Sequence, residues 1–230
     1  MRLDKFISQS LGITRKEAKQ LLRKKVIHIG GSNVCTPEQH VDDKSEITFE
    51  GRTLQKPGPL YFMLNKPEGY ICSTKDRRHP TVLDLLDEPR VHTLHPVGRL
   101  DLDTTGLVLL TSDGQWSHGI TSPKRHKTKR YRAHLAEPLV DGVEEKFTRG
   151  IMLDGEKKRT LPARLKRITP TEVELSIKEG RYHQVKRMFA AMGNAVTALH
   201  REAIGPLSLD DNLATGDYRA LSQDEVDSLR

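Results

Sequence analysis

Leu3, Phe6, Ile7 and Leu11 recur at helical spacing. A second helix is expected from Thr14, because Thr14-x-x-Glu17 is a capping-box pattern that precedes Ala18, Leu21 and Leu22. Short strands are predicted at Val26 to Ile29 and Glu46 to Phe49, with Gly30-Gly31 as a turn, so a compact module ends near Glu50. Gly51 to Pro59 mixes Gly, Pro and polar residues without periodicity and reads as a linker. Beyond it the pattern changes. Leu60 to Asn65, Gly106 to Thr111, Lys129 to Leu135, Glu172 to Lys178 and Ala195 to Ile204 read as strands, and the alternation in Glu172 to Lys178 gives one buried and one wet face. Helices are predicted at Val82 to Leu86, Gln115 to Thr121, Val143 to Arg149, His183 to Met192 and Gln223 to Leu229. Strands and helices do not alternate regularly. The expected class is therefore α+β, with a mixed or antiparallel sheet rather than a doubly wound parallel one, in two domains: 1–58 with its linker, and 59–230.

Composition narrows the class. Of 230 residues 35% are hydrophobic and 30% charged, enough for a real core and too apolar for a disordered polyelectrolyte. The run Leu107 to Leu110 is far short of a membrane span, and Met1-Arg2-Leu3-Asp4 opens no signal region, so we expect a cytoplasmic protein with no membrane partner. Cys35 and Cys72 stand far apart, with no Cys-x-x-Cys or Cys/His cluster, which argues against a disulfide framework or a structural zinc site. The net charge of +7 points to polyanionic partners. That charge is concentrated: Arg2, Lys5, Arg15, Lys16, Lys19, Arg23, Lys24 and Lys25 face only Asp4 and Glu17 in the N-terminal stretch. Lys5, Arg15, Lys16, Lys19, Arg23 and Lys24 are candidate phosphate contacts that would anchor RNA without reading its sequence. An ordinary solvated helix face is the alternative, weakened by the shortage of acidic residues for i,i+4 pairing.

The most informative stretch is His95 to Gly114, HPVGRLDLDTTGLVLLTSDG. In extended chain Arg99, Asp101 and Asp103 project on one side, immediately before a Thr-Thr-Gly turn and an apolar strand. A carboxylate beside a guanidinium stays ionised at neutral pH and can serve as nucleophile, base or metal ligand. The same residues also fit a surface salt bridge leading into a turn. Lys186 sits at the edge of the apolar stripe Val185, Met188, Phe189 and Met192, ahead of a Gly193 cap, where it could reach a carboxylate or simply flank the core. Of the ten histidines, His92-x-x-His95 has no third ligand near it in sequence.

Gly98-Arg99-Leu100-Asp101 followed by Thr104-Thr105-Gly106-Leu107 resembles the catalytic motif of the RNA pseudouridine synthases. Tyr61 to Gly69 with Ser73, Lys129-Arg130-Tyr131 and Glu179 to Met188 follow in that family's order and spacing, and the N-terminal module resembles the S4 RNA-binding domain. The likeness runs over nearly the whole chain and is nearest the branch that isomerises one uridine of 16S ribosomal RNA. It implies an S4-like α/β domain followed by a catalytic domain on a mixed, mainly antiparallel sheet. Asp101 would attack during cleavage of the N-glycosidic bond, before the base rotates and rejoins through C5. Arg99 would pair with Asp101 and orient it. Tyr131 would stack on the target base, although as a residue it also fits a strand core, and Leu199 would pack beside that base. Lys186 stands where many relatives carry arginine, keeping the charge without the bidentate geometry. No cofactor or metal is implied. The expected partner is 16S ribosomal RNA or an assembling small subunit, met by a monomer. A 23S target, a non-catalytic ribosome-assembly protein and a metal-dependent nuclease using Asp101 and Asp103 are the alternatives.

Overall fold

The computed structural model describes residues 1–42, 44–55, 58–122 and 125–230; the centre of the expected linker, 56 and 57, lies outside them. The chain divides into two compact units. One comprises Met1–Pro59 with Asp87–Leu94, the other Leu60–Leu86 with His95–Arg230.

In the first unit, helices α1 (Leu3–Leu11) and α2 (Arg15–Arg23) pack beside a three-stranded antiparallel sheet, β1 (Ile27–Ile29), β2 (Ile47–Phe49) and β3 (Arg52–Thr53). The capping box forms: Thr14 Oγ1 accepts from the Glu17 amide, and the Thr14 amide donates to Glu17. Leu3, Phe6, Ile7, Ala18, Leu22, Ile27, Val41 and Ile47 make the core. The first residues of the expected linker are thus a strand: Arg52–Thr53 pairs with β2, and Leu54 packs on the core, because an unpaired β2 edge accepts any adjacent extended chain.

The second unit is one mixed sheet in the order β12-β4-β6-β10-β7-β9-β8, with β5 and β11 attached to β6 and β10. Its strands are β4 (Tyr61–Lys66), β5 (His95–Val97), β6 (Thr104–Thr111), β7 (Lys129–Leu135), β8 (Arg164–Arg167), β9 (Glu172–Ile177), β10 (Val196–Ile204), β11 (Leu207–Ser208) and β12 (Tyr218–Ala220). Among the strand pairs of the described residues β6 and β10 run parallel, and the others are antiparallel. Leu107 to Leu110 are wholly buried, as befits a central strand covered on both faces. Helices α3 (Gly114–Thr121) and α6 (Gln223–Ser228) close one side, where the Trp116 indole donates to the Val226 carbonyl at 3.0 Å. Helix α4 (Val143–Thr148) and helix α5 (Gln184–Ala190) meet through Phe147 and Phe189, with ring centroids 5.2 Å apart.

Two further expectations need correction, and four short strands were not expected. Val82–Leu85 is a single 3-10 turn closed by a Thr81–Asp84 capping box, too short to propagate an α-helix. Thr104-Thr105-Gly106 is not a turn but the start of β6; the turn is Leu102–Asp103. Gly106 serves close packing instead: its φ is +100°, and a Cβ there would lie 2.4 Å from the Arg201 carbonyl oxygen on β10. Strands β5, β8, β11 and β12 lacked a signal, being short or, in Arg164–Arg167, mostly charged.

Candidate active site

A cavity of about 580 Å³ opens in the second unit, lined by Arg99, Asp101, Tyr131, Lys186, Leu199 and residues between them. Its construction begins at the end of β5. Gly98, at φ +81°, turns the chain out of the sheet, and buried Leu100 anchors it by donating its amide to Cys72 Sγ at 3.3 Å. Asp101 follows, and its carbonyl accepts from the Thr104 amide at 3.1 Å, closing the turn that delivers the chain into β6. Lys66 holds that turn from beneath. Its side chain is 0% exposed, and its ammonium donates to the carbonyls of Pro67, Leu102 and Thr104 at 3.0, 3.3 and 2.7 Å. Burial lowers the Lys66 pKa from its ordinary value, opposed by the neighbouring Cys72, Asp103 and Asp101.

Asp101 faces His183 Nε2 at 3.5 Å and Lys186 Nζ at 3.7 Å. Lys186 divides itself, donating to Asp103 Oδ1 at 2.6 Å, and this bond holds the Asp103 carboxyl below its usual range. The expected pairing of Arg99 with Asp101 does not occur: among the described residues no ion pair or hydrogen bond joins them, and Arg99 stands exposed at the cavity wall. Strand β5 ends at Val97, and after the bend at Gly98 residues 99–101 run as irregular chain rather than the extended strand that would have set them side by side. The neighbours of Asp101 come from α5 and the residue before it instead, and Lys186 reaches not one carboxylate but two.

Tyr131 and Leu199 lie on adjacent strands β7 and β10, both buried and both lining the cavity. The alternation is clean: Arg130 and Arg132 take the other face of β7 and pair with Glu202, Glu174 and Glu172. Two residues that sequence reasoning passed over belong here. His183 sits at φ +47°, a left-handed conformation uncommon outside glycine, and stacks on Tyr182 with ring centroids 3.8 Å apart. Tyr182 is 74% exposed at the cavity. The signal was present in Glu179-Gly180-Arg181-Tyr182-His183, adjacent aromatic rings between a glycine and a helix start.

In the first unit Lys5, Lys16, Arg23 and Lys24 are exposed. Arg15 and Lys19 are not simply free: buried Asp4 accepts from Arg2 and Arg15 and lies 4.0 Å from Lys19. Burial alone would raise the Asp4 pKa, but the hydrogen bonds from Arg2 and Arg15 hold it at about 2. The acidic partner missing at i,i+4 is thus supplied by the other helix. Two carboxylates, Asp4 and Glu38, against three cations leave the cluster net positive, with Arg15 preset in position.

Residues 60–191 match the family model described as RNA pseudouridylate synthase. The chain is 53% identical to the ribosomal small subunit pseudouridine synthase A of Yersinia pestis over 230 residues, covering 100% of this chain and 98% of that protein. It is likewise 53% identical to the protein of that name from Escherichia coli K12, with both chains covered in full. The Vibrio cholerae protein of the same name is 50% identical over 229 residues, covering 100% of this chain and 99% of that one. A crystal structure titled as a pseudouridylate synthase superimposes with a TM-score of 0.74 at 48% identity, covering 100% of both chains.

Proposed function

The chain belongs to the RNA pseudouridylate synthase family and is an isomerase of uridine in RNA; we propose that its target is one uridine of 16S ribosomal RNA and that Asp101 is the nucleophile. The observation that carries this reading is the carboxylate of Asp101 on the wall of the same cavity as the buried ring of Tyr131, flanked by His183 and Lys186. The target base must leave its stack to reach that carboxylate, and Tyr131 with Leu199 offers it a replacement surface. Asp101 then attacks as the glycosidic bond breaks, and the base turns and rejoins through C5. Lys186 orients Asp101 and Asp103 together. The reaction needs no cofactor, since the bond broken and the bond formed share one electron pair. Lys186 also occupies the approach between Asp101 and Asp103 that a nuclease metal would need.

The first unit acts, in this reading, as an S4-like RNA-binding domain whose exposed lysines and arginines meet phosphates, in a cytoplasmic monomer working on ribosomal RNA or an assembling subunit. The small-subunit name of full-length relatives at 50–53% identity supports the choice of target. Mapping pseudouridines in ribosomal RNA from cells lacking the protein tests it: one 16S position should lose its modification and regain it on complementation. Loss in 23S RNA instead would transfer the target. Replacing Lys5, Lys16 and Lys24 by Gln should flatten the log–log salt dependence of RNA binding by about 0.7–0.9 for each phosphate no longer neutralised. An unchanged slope would remove the first unit from the interface. Charge substitution is the cleaner test than deletion, because Asp87–Leu94 belongs to the same unit as residues 1–59.

A further inference from the structure

Two cations lining the cavity, Lys129 and Arg201, have no anionic partner among the described residues. Lys129 opens β7 two residues before Tyr131, hence on the same side of the strand. Arg201 stands opposite Tyr131 in the β10–β7 register and is 3% exposed. Its Nε donates to the Leu107 carbonyl at 2.8 Å, while its buried Nη2 has no hydrogen-bond partner. Among the described residues Lys129 makes no side-chain hydrogen bond and no ion pair, and it is half-buried. The carboxylates lining the same cavity are engaged elsewhere. Asp101 faces His183 and Lys186, Glu179 accepts from Arg181, Gln184 and the Leu161 amide, and Asp76 accepts from the amides of Arg78 and His79. Thr104 Oγ1, also on the cavity, is buried without a partner. Burial, reinforced by Arg201, lowers the Lys129 pKa from its ordinary value. The contrast with the other face of β7 is direct: there Arg130 and Arg132 are matched by glutamates.

Unpaired charge removed from water opposes folding and persists where something else requires it. The isomerisation supplies the requirement. When N1–C1′ breaks, its electron pair stays on the base, and the uracil carries a negative charge spread over N1, O2 and O4 while C1′ is held by the Asp101 carboxylate. The C5–C1′ bond then forms, the carboxylate is released, the C5 proton departs and N1 takes up a proton. Atoms and electrons balance without a further reactant. Fixed positive charge aimed at the ring carbonyls is stronger against that anion than against the neutral base, which is the condition for lowering the barrier.

We propose that Lys129 is a further catalytic residue, donating to a carbonyl of the target uracil and stabilising the charge the base acquires, with Arg201 behind it as a positioning residue that maintains the field. This rests on the reading of the cavity as the isomerisation site. It predicts an unusual pairing of effects in Lys129→Met. Single-turnover release of the C5 hydrogen should fall about 100-fold, the scale of losing one preorganised stabilising donor. RNA affinity should be unchanged, and the melting temperature should rise, because an unpaired charge has been removed from a partly buried place. Lys129→Arg should keep most of the rate. With 5-fluorouridine at the target position, the fluorine already stabilises the base anion, so the defect of Lys129→Met in glycosidic cleavage should shrink. Equal defects on both substrates would overturn the assignment, as would a native rate, a lowered melting temperature or a weakened RNA affinity with unchanged turnover. Absence of isomerisation by the unaltered chain on ribosomal RNA would instead overturn the reading on which the proposal rests.

Discussion

Asp101→Asn should fold, bind RNA with native affinity and form pseudouridine at least about 10⁴-fold more slowly, the cost of removing an essential group of a catalytic unit. An amide matches the carboxylate in shape but cannot act as the nucleophile. The structural cost is small. The side chain is 31% exposed, and of the two contacts it gives up, with His183 at 3.5 Å and Lys186 at 3.7 Å, the ion pair with Lys186 is partly exposed and worth about 0–1 kcal/mol. Asp103→Asn is the matched control. It removes the shorter ion pair with Lys186, at 2.6 Å, yet that pair is also partly exposed, so the rate should fall by less than about tenfold. Release of the C5 hydrogen measures both variants, since isomerisation requires it. Robust release by Asp101→Asn would remove it as nucleophile, and a loss in Asp103→Asn equal to that in Asp101→Asn would assign the two carboxylates a shared role.

The second large effect falls on stability. Lys66→Met should lower the unfolding free energy by about 3 kcal/mol, because three charge-assisted hydrogen bonds are lost and the buried Thr104 carbonyl loses this donor, while the Leu102 carbonyl keeps the Gly69 amide. The loss is moderated by relief of the charge itself, whose desolvation already lowers the Lys66 pKa. Leu102 and Thr104 bracket Asp103 and close the turn begun by Asp101, so turnover per folded molecule should fall as well. Urea denaturation beside a turnover assay reads both, with the slope unchanged if the native and denatured ensembles keep their compactness. A midpoint indistinguishable from the parent's would mean that the clamp is not holding the turn.

Local pattern carried much of this protein. The helical spacing of Leu3, Phe6 and Ile7, the Thr14–Glu17 box, the alternation of β9 and the apolar run of β6 are short-range signals, each decided within a turn or two of chain, and the structure follows them. Candidate residues are named on another ground, the family resemblance: Asp101, Tyr131, Lys186 and Leu199 match its positions, and all four line one cavity. What no local pattern contains is the pairing of distant groups. Lys66 directly follows the expected strand Leu60 to Asn65 as a polar residue, yet it is wholly buried because carbonyls more than thirty residues away accept its hydrogen bonds. Arg99 is two residues from Asp101 and does not meet it, whereas Lys186, far along the chain, does. Asp4 tethers Arg15 across a helix boundary. Gly106 reads as a turn glycine until β10 is laid against it in parallel. Sequence periodicity reports which face of each element turns inward. Which charges then face one another depends on strand order and register, and those are settled only when the elements pack.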